Sequence, residues 1–171
     1  MSNANNFELD KLDQPGTTTQ GEKWSFFTDR VMGGLSKGQA TVNTIDNTLC
    51  YQMTGNVTTE NNGGFIQIRT NLSPLIKANE YEGVYIKIYG NNESYSLFLR
   101  TKLTLAPWQY YSYSFLAKNE WLEIRAPFKD FKKSNFYQPK SLQYHQIKTV
   151  GIVAAFDDFY ADIAVSEIGF Y

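Results

Sequence analysis

Residues 24–38 read WSFFTDRVMGGLSKG, and this stretch narrows the fold class by what it excludes. A continuous helix is excluded, because each glycine inside a helix costs about 1 kcal/mol relative to alanine. A single long strand is excluded as well, since paired glycines such as Gly33 and Gly34 mark bends, bulges or close backbone approach. The stretch therefore predicts a structured corner between extended segments. A second corner, Asn61-Asn62-Gly63-Gly64-Phe65, repeats this pattern later in the chain.

Outside the two corners, apolar and polar residues alternate with a period of two. This alternation predicts strands at residues 48–54, 65–70, 84–89, 97–100, 110–116, 121–126, 150–156 and 163–171. Short alternating strands separated by Asn, Gly and Pro turns are typical of an all-β sandwich or barrel. About eight or nine antiparallel strands must bury their edges, and a jelly roll of two packed sheets does so. We therefore predict an all-β fold, for which an antiparallel β-sandwich of the jelly-roll type is a common solution.

Length and composition predict one domain with a polar leading segment. A chain of 171 residues is long enough for one self-sufficient core. We expect residues 24–171 to form a single β-sandwich domain and the polar residues 1–23 to form an N-terminal tail or entry segment. Within that tail, Phe7, Leu9 and Leu12 are able to dock on the domain.

Charge, apolar runs and cysteine content exclude several classes of protein. The formal net charge is −1 with acids and bases interspersed, which argues against nucleic-acid binding. No apolar run approaches the ~20 residues of a membrane span, so we expect the chain not to cross a membrane. The N-terminus lacks the pattern of a secretory or transit signal, and we expect a cytoplasmic location. The single cysteine, Cys50, excludes an internal disulfide.

Residues 34–38 read GLSKG and match the G-x-S-x-G pattern of a nucleophile elbow. Such an elbow needs a strand before it, a helix after it and a histidine as general base. Here the following residues, 39–42, are strand-like, and the chain holds one histidine, His145. We therefore expect no catalytic residues and no enzymatic activity. A hydroxyl in a turn commonly bonds local backbone, and we expect this of Ser36.

Metal and cofactor sites are not recognisable in the sequence. His145 and Cys50 cannot supply the three or four ligands that zinc takes. Asp157, Asp158 and Asp162 lie between the last two predicted strands, where they form either an acidic turn or part of a calcium site. The acidic turn is the interpretation we favour. A Walker loop and a dinucleotide fingerprint are also absent, so we expect no cofactor and assign no metal.

Arg69 and Arg100 occur inside predicted strands, on the faces opposite the apolar positions. An arginine without a partner is costly to bury, and Asp29 is a natural mate. One interpretation is therefore a salt bridge that fixes the first corner to a sheet. The other is a polar and aromatic recognition surface, and the two interpretations are compatible. Depending on register, the strand residues that accompany the arginines are Tyr85, Tyr89, Phe98, Tyr111 and Tyr113.

The two corners, together with Arg69, Tyr95, Trp121 and the stretch from Pro127 to Phe131, resemble the signature of the complex I intermediate-associated protein 30 family. The resemblance covers nearly everything from residue 24 to residue 171. It implies a galactose-binding-like β-sandwich, similar to certain carbohydrate-binding modules. It also implies a chaperone-like role, because mitochondrial relatives help to build respiratory complex I. Residues 90–94, GNNES, depart from the Gly-Asp-Gly-Arg-like turn that is usual in the family.

We therefore expect a non-enzymatic binding domain whose partner is a protein, such as a subunit of a respiratory or other membrane complex. The alternative is a module that recognises a glycan or another small polar ligand, which rests on fold analogy. The candidate contact residues are Asp29, Arg30, Met32, Gly33, Gly34, Ser36, Asn62, Gly63, Gly64, Arg69, Arg100, Tyr111 and Tyr113.

Overall fold

The structure is a computed structural model that describes residues 5–142 and 145–171. The strands of these residues are β1 Phe7–Asp10, β2 Ser25–Thr28, β3 Lys37–Ile45, β4 Thr48–Val57, β5 Phe65–Lys77, β6 Gly83–Tyr89, β7 Glu93–Thr101, β8 Tyr111–Ala117, β9 Leu122–Pro127, β10 Lys132–Lys133, β11 Gln146–Ala155 and β12 Phe159–Phe170. The predicted all-β class is confirmed. Helical structure in the described residues is limited to short 3-10 turns. None of it is long and apolar enough to cross a membrane.

The strands form two antiparallel sheets that pack as a jelly-roll sandwich. The first sheet has the order β3-β4-β12-β6-β9, and β1 pairs with β12 beside that path. The second sheet has the order β10-β8-β7-β11-β5-β2. Strand β11 lies at the centre of the second sheet, so β5 and β7 present their side chains on either side of it.

The alternation of the strands places their aliphatic side chains between the sheets. Ile66 and Ile68 of β5, and Leu97 and Leu99 of β7, lie in the core, as predicted. Ile152 pairs with both Ile68 and Leu97 and completes one buried row. Because successive side chains of a strand point to opposite faces, the residues between these aliphatics lie on the outer face of the second sheet.

Part of the N-terminal segment forms a strand of the first sheet. Strand β1 pairs with β12, from Phe7 opposite Phe170 to Asp10 opposite Ile168. Leu9 and Leu12 are buried, so the expected docking of these apolar side chains is confirmed. The part of the predicted tail that falls on residues 1–4 lies outside the described residues.

The buried carboxylate of Asp10 explains why this segment is ordered. It accepts hydrogen bonds from Leu12 N (2.7 Å), Tyr51 Oη (2.6 Å) and Trp24 Nε1 (2.7 Å). These donors come from three different parts of the chain. A buried carboxylate that satisfies several donors is costly to remove, so the segment is held by polar as well as apolar contacts.

Candidate functional site

The two glycine-rich segments meet at one end of the sandwich, and we call residues 29–36 and 58–64 the glycine corner. Asp29 follows β2 and is fully buried. Its carboxylate accepts hydrogen bonds from Ser36 N (3.0 Å) and Ser36 Oγ (2.5 Å) on one side. On the other side it accepts from the backbone amides of Gly64 and Phe65. One side chain therefore fastens both segments to each other.

The hydrogen bonds at Asp29 keep the carboxylate ionised. Burial raises the pKa of Asp29, but the hydrogen bonds from Ser36, Gly64 and Phe65 outweigh this, and the pKa lies below its ordinary value. Hydrogen bonds to a charged acceptor are about twice as strong as those between neutral groups. The corner is thus built around a buried negative charge that backbone amides and a hydroxyl satisfy.

The glycines are required by this packing. A Cβ on Gly34 or on Gly63 would collide with the Asp29 side chain. Gly33 has a different role, since it adopts a left-handed φ of 85° and ends the 3-10 turn Asp29–Met32. The Gly-Gly step therefore combines a turn requirement with a space requirement, which explains why sequence alone identified a corner here.

A third loop joins the glycine corner from the end of β11. Phe156 N donates to the Gly64 carbonyl at 3.2 Å. The Asp158 carboxylate accepts from Thr59 N (2.7 Å) and Thr59 Oγ1 (3.0 Å). The three loops thus form one connected end of the sandwich.

The glycine corner presents apolar side chains to solvent although its interior is polar. Val31, Met32 and Leu35 are 74%, 63% and 45% exposed. Arg30 and Gly33 are exposed beside them, and Phe156 of the third loop is exposed as well. Asn62 lies in the 3-10 turn Glu60–Asn62, and its side chain is outside the part of the chain that the structure describes.

Ser36 has a structural environment. Its hydroxyl donates to Asp29 and accepts from Thr58 N at 3.0 Å, so it bonds local groups as expected. Strand β3 follows it, where a nucleophile elbow needs a helix. His145 is placed just before β11, and its carbonyl accepts from Ala78 N at 3.0 Å.

The predicted salt bridge between Asp29 and an arginine is wrong. The partners of Asp29 are Ser36, Gly64 and Phe65, and the salt bridges of the described residues involve neither Arg69 nor Arg100. Sequence reasoning sought a counter-charge for the carboxylate. Clustered backbone N–H groups stabilise the charge instead. Every residue except proline has such a group, so the sequence does not indicate which of them meet at Asp29.

Both arginines lie on the outer face of the second sheet, as their strand positions predict. The Arg69 guanidinium lies over the Phe27 ring, 4.5 Å from its centroid. Arg100 Nε donates to the Gln109 carbonyl (3.3 Å), and its Nη2 donates to the Ala106 (2.9 Å) and Thr104 (3.4 Å) carbonyls. Arg100 therefore also fixes the loop between β7 and β8 against the sheet.

Aromatic rings follow this outer face toward the glycine corner. Phe98 stacks on Tyr110 with ring centroids 4.0 Å apart and contacts Phe156 at 6.0 Å. On the other side of β11, Phe27 contacts Phe65 edge-on at 6.3 Å. Arginines and aromatic rings thus share this outer face as far as the corner.

The predicted tyrosines of this surface are elsewhere. Tyr111 is fully buried in the core and donates its hydroxyl to the Pro139 carbonyl at 2.7 Å, so its assignment to a contact surface is wrong. Tyr113 is half-buried on the core side, beside Phe131. Tyr85 and Tyr89 belong to β6 of the other sheet. The register could not be derived from alternation alone, because Tyr110, Tyr111 and Tyr113 fit either phase.

Sequence reasoning missed several residues of the outer face, namely Phe27, Phe65, Tyr110, Lys148 and Thr149. The signal for Phe27 and Phe65 was available, since each occupies a position that alternates with buried neighbours. No signal was available for Lys148 and Thr149. Lys148 lies in a β-bulge of β11, and Thr149 follows it. The bulge is defined only by the pairing of β11 with β5 and β7, so the sequence does not show which face these two side chains take.

The acidic residues near the last strands do not converge. Asp158 accepts from Thr59, Asp157 accepts from Asp158 N at 3.0 Å, and Asp162 accepts from Gln52 Nε2 at 2.9 Å. Within the described residues no cluster of three or more His, Cys, Asp or Glu side chains has the geometry of a metal site. Asp157 and Asp158 lie in the turn before β12, whereas Asp162 lies within β12.

Comparison of the sequence with protein families gives one match. The model of the family described as complex I intermediate-associated protein 30 matches residues 12–166. No curated protein sequence matches the chain significantly.

Comparison of the fold gives similar solved structures. The family 11 carbohydrate-binding module of the cellulosomal cellulase Lic26A-Cel5E of Clostridium thermocellum has a TM-score of 0.77 at 15% identity, with 99% of this chain and 95% of that chain covered. The Clostridium thermocellum family 11 module in complex with a β-1,3-1,4-mixed-linked tetrasaccharide has a TM-score of 0.76 at 15% identity, with 99% and 96% covered. A family 30 carbohydrate-binding module has a TM-score of 0.61 at 13% identity, with 97% and 87% covered. At such low identity these likenesses establish the fold alone.

Proposed function

The chain belongs to the complex I intermediate-associated protein 30 family, and we propose that it is a non-enzymatic domain that binds a protein partner in the manner of an assembly factor. The family name supports association with an assembling complex. It does not identify the partner of this chain, for which a subunit of a respiratory or other membrane complex is our proposal.

The observation that carries the proposal is the apolar surface of the glycine corner. Val31, Met32 and Leu35 are exposed on a segment that the buried Asp29 carboxylate holds in place. Apolar side chains on an ordered segment bury area on binding without a large loss of conformational entropy. Exposed apolar side chains grouped on one segment mark a protein–protein interaction site.

The environment of the polar groups supports a binding role over catalysis. The Ser36 hydroxyl and the Asp29 carboxylate have their hydrogen bonds satisfied by each other and by backbone. A nucleophile is normally paired with a general base that a third group orients. His145, the one histidine of the chain, precedes the start of β11, whereas the corner loop at Phe156 follows its end. The histidine is therefore at the opposite end of this strand from the corner.

Site-specific photo-crosslinking tests this proposal. A photo-reactive amino acid at Met32 in the full chain, expressed in its native cells, is expected to give a discrete adduct with one protein. The same amino acid at the exposed Lys129, in the 3-10 turn Phe128–Asp130, is the control, for which we expect no such adduct. Identical adduct patterns at both positions, or none at Met32, would refute the proposal.

A glycan ligand is the second candidate, and one specific observation favours it. Phe98 and Tyr110 stack on the outer face, and Trp108, 64% exposed, lies in the adjoining loop. Aromatic rings in such positions are suitable platforms for sugar rings. A thermal-shift panel of neutral oligosaccharides tests it, since a ligand at 100 times its Kd stabilises the folded state by about 2.7 kcal/mol. No shift with any member of the panel would exclude this candidate for those sugars.

A further inference from the structure

The outer face of the second sheet carries a cluster of cationic groups without acidic partners, and we call Arg69, Arg100 and Lys148 the basic cluster. Arg69 of β5 pairs with Gly151, and Arg100 of β7 pairs with Thr149. Directly opposed residues of neighbouring strands share a face, and residues two apart on one strand do so too. Arg69 and Arg100 therefore flank β11 on the same face.

Lys148 joins the cluster through the β-bulge of β11. Lys148 Nζ donates to the Thr104 carbonyl at 3.0 Å, and Arg100 Nη2 approaches the same oxygen at 3.4 Å. The two cationic groups thus converge on one carbonyl. Burial lowers the pKa of Lys148, and the charges of Arg100 and Arg69 lower it further, which is consistent with their proximity.

Gly151 leaves the central strand without a side chain beside the two arginines. It lies between Arg69 on β5 and Phe98 on β7. The Gln67 side chain borders it on the same face, with its Oε1 3.1 Å from the place that a Cβ on Gly151 would take. The long side chains of the flanking strands therefore surround a stretch of β11 that contributes no side chain of its own.

Two donor groups on this face, the Arg69 guanidinium and the Thr149 hydroxyl, make no hydrogen bond within the described residues. Arg69 makes its described contact with the Phe27 ring, which leaves the edges of the guanidinium available. Thr149 Oγ1 is buried and has no hydrogen-bond partner, although the residue is only 7% exposed. A buried hydroxyl without a partner costs about 1–3 kcal/mol, and such groups are rare in folded proteins.

The missing component is an anion. The chain has 17 acidic residues for 16 basic ones, yet the salt bridges within the described residues involve only Lys11, Lys87 and Arg125 as cations. Like charges that are held together without a counter-charge favour binding of an anionic group. The N–H groups along one edge of a guanidinium match the two oxygens of a carboxylate, and stacking of Arg69 on a ring leaves such an edge available.

We infer that the basic cluster, with Thr149 at its floor, binds a carboxylate of an acidic peptide segment on the protein partner. The inference rests on the proposed function, since it names the chemistry of the partner at a second position, on the outer face of the second sheet. A protein carboxylate suits the site better than a nucleic acid does. The cluster is compact, whereas binding to a phosphate backbone uses many cations spread along a surface.

Peptide titration of the full chain tests the inference. The probes are a fluorescent, end-blocked peptide rich in Asp and Glu and its Asn and Gln counterpart. We expect the acidic peptide to bind on the order of tenfold more tightly at low salt, and we expect this preference to vanish in about 1 M salt. Equal affinity for both peptides would overturn the inference.

Substitutions at Arg69 and Thr149 test whether the acidic peptide binds at the basic cluster. Arg69→Gln is expected to weaken acidic-peptide binding on the order of tenfold, whereas Lys118→Gln, an exposed control distant in the sequence, leaves it unchanged. Thr149→Val keeps the shape and removes the unpartnered hydroxyl. We expect it to keep or raise the melting temperature and still weaken peptide binding severalfold. Unchanged affinity in both Arg69→Gln and Thr149→Val would refute the site, and if Arg69→Gln fails to fold, Thr149→Val decides.

Two further results separate this inference from its premises. Binding of an oligogalacturonate that Arg69→Gln weakens, with no binding of the acidic peptide, would overturn the assignment to a protein. Loss of the peptide preference together with an intact Met32 crosslink would refute this inference and leave the proposed function standing. Peptide binding without a crosslink would instead refute the proposed function.

Discussion

Asp29 stabilises the glycine corner only while its carboxylate is ionised, because it accepts all of its hydrogen bonds from N–H and O–H donors. Its folded-state pKa lies below the ordinary value of 3.8. A group of this kind contributes stability that is fully present above its unfolded pKa. That contribution is lost as the pH falls through the folded pKa.

Asp29→Asn is therefore expected to lower the free energy of unfolding by about 3 kcal/mol near neutral pH, since an amide cannot accept from all of these donors. The difference between wild type and variant should shrink as the pH falls below about 4. Urea unfolding followed by tryptophan fluorescence from about pH 7 to about pH 3 measures it. The exposed Asp130→Asn is the matched control, and a difference that is constant with pH would contradict the assigned role of Asp29.

Gly63 and Gly33 differ in why they are glycines, and alanine substitution separates the two reasons. A Cβ on Gly63 would collide with Asp29, whereas a Cβ on Gly33 meets nothing within 4 Å and is opposed only by its φ of 85°. We expect Gly63→Ala to cost about 2 kcal/mol or more through overpacking, and Gly33→Ala about 1 kcal/mol through backbone strain. Denaturant midpoints measure both, and an equal loss would show that space is not limiting at Gly63.

At the scale of elements, strand β1 tests how far the sandwich extends toward the N-terminus. A loose tail would leave Leu9 exposed to solvent, whereas the structure buries it fully. The two arrangements therefore predict different effects of truncating this side chain. Leu9→Ala is expected to lower the free energy of unfolding by about 3 kcal/mol through the lost apolar contacts and the cavity. Lys11→Ala, which breaks only exposed ion pairs, should leave the free energy of unfolding nearly unchanged. A loss below ~1 kcal/mol for Leu9→Ala would show that β1 is not packed on the sandwich.

The elements also show which patterns are readable in a sequence. Strands β5, β6 and β7 were predicted because long alternation distinguishes two faces. Strand β1 is four residues long and is followed by polar residues, so its alternation is too short to distinguish a strand from a tail. The β-bulge at Lys148 was unreadable for another reason. A bulge is a property of a pair of strands, and neither strand encodes it alone.

At the scale of the whole molecule, Cys50 reports on cooperative unfolding. The residue is fully buried in β4, and burial raises the pKa of its thiol. A thiol reagent reacts with the thiolate, so the folded protein should react only when the sandwich opens. The rate of modification in increasing urea is therefore expected to follow the fraction unfolded. Lys118→Cys supplies an exposed thiol as the positive control, and rapid reaction of Cys50 in the native protein would contradict a closed sandwich.

The sequence by itself determined the two-sheet class, the inward positions of residues such as Ile66 and Leu97, and the existence of both glycine segments. These depend on periodicity and on local backbone limits, which neighbours in the chain reveal. Only the tertiary structure decided that the partners of Asp29 are amides and a hydroxyl, that Tyr111 points into the core, and that Arg69, Arg100 and Lys148 meet across β11. Those outcomes depend on strand order and register, which join residues far apart in the chain and leave no local pattern.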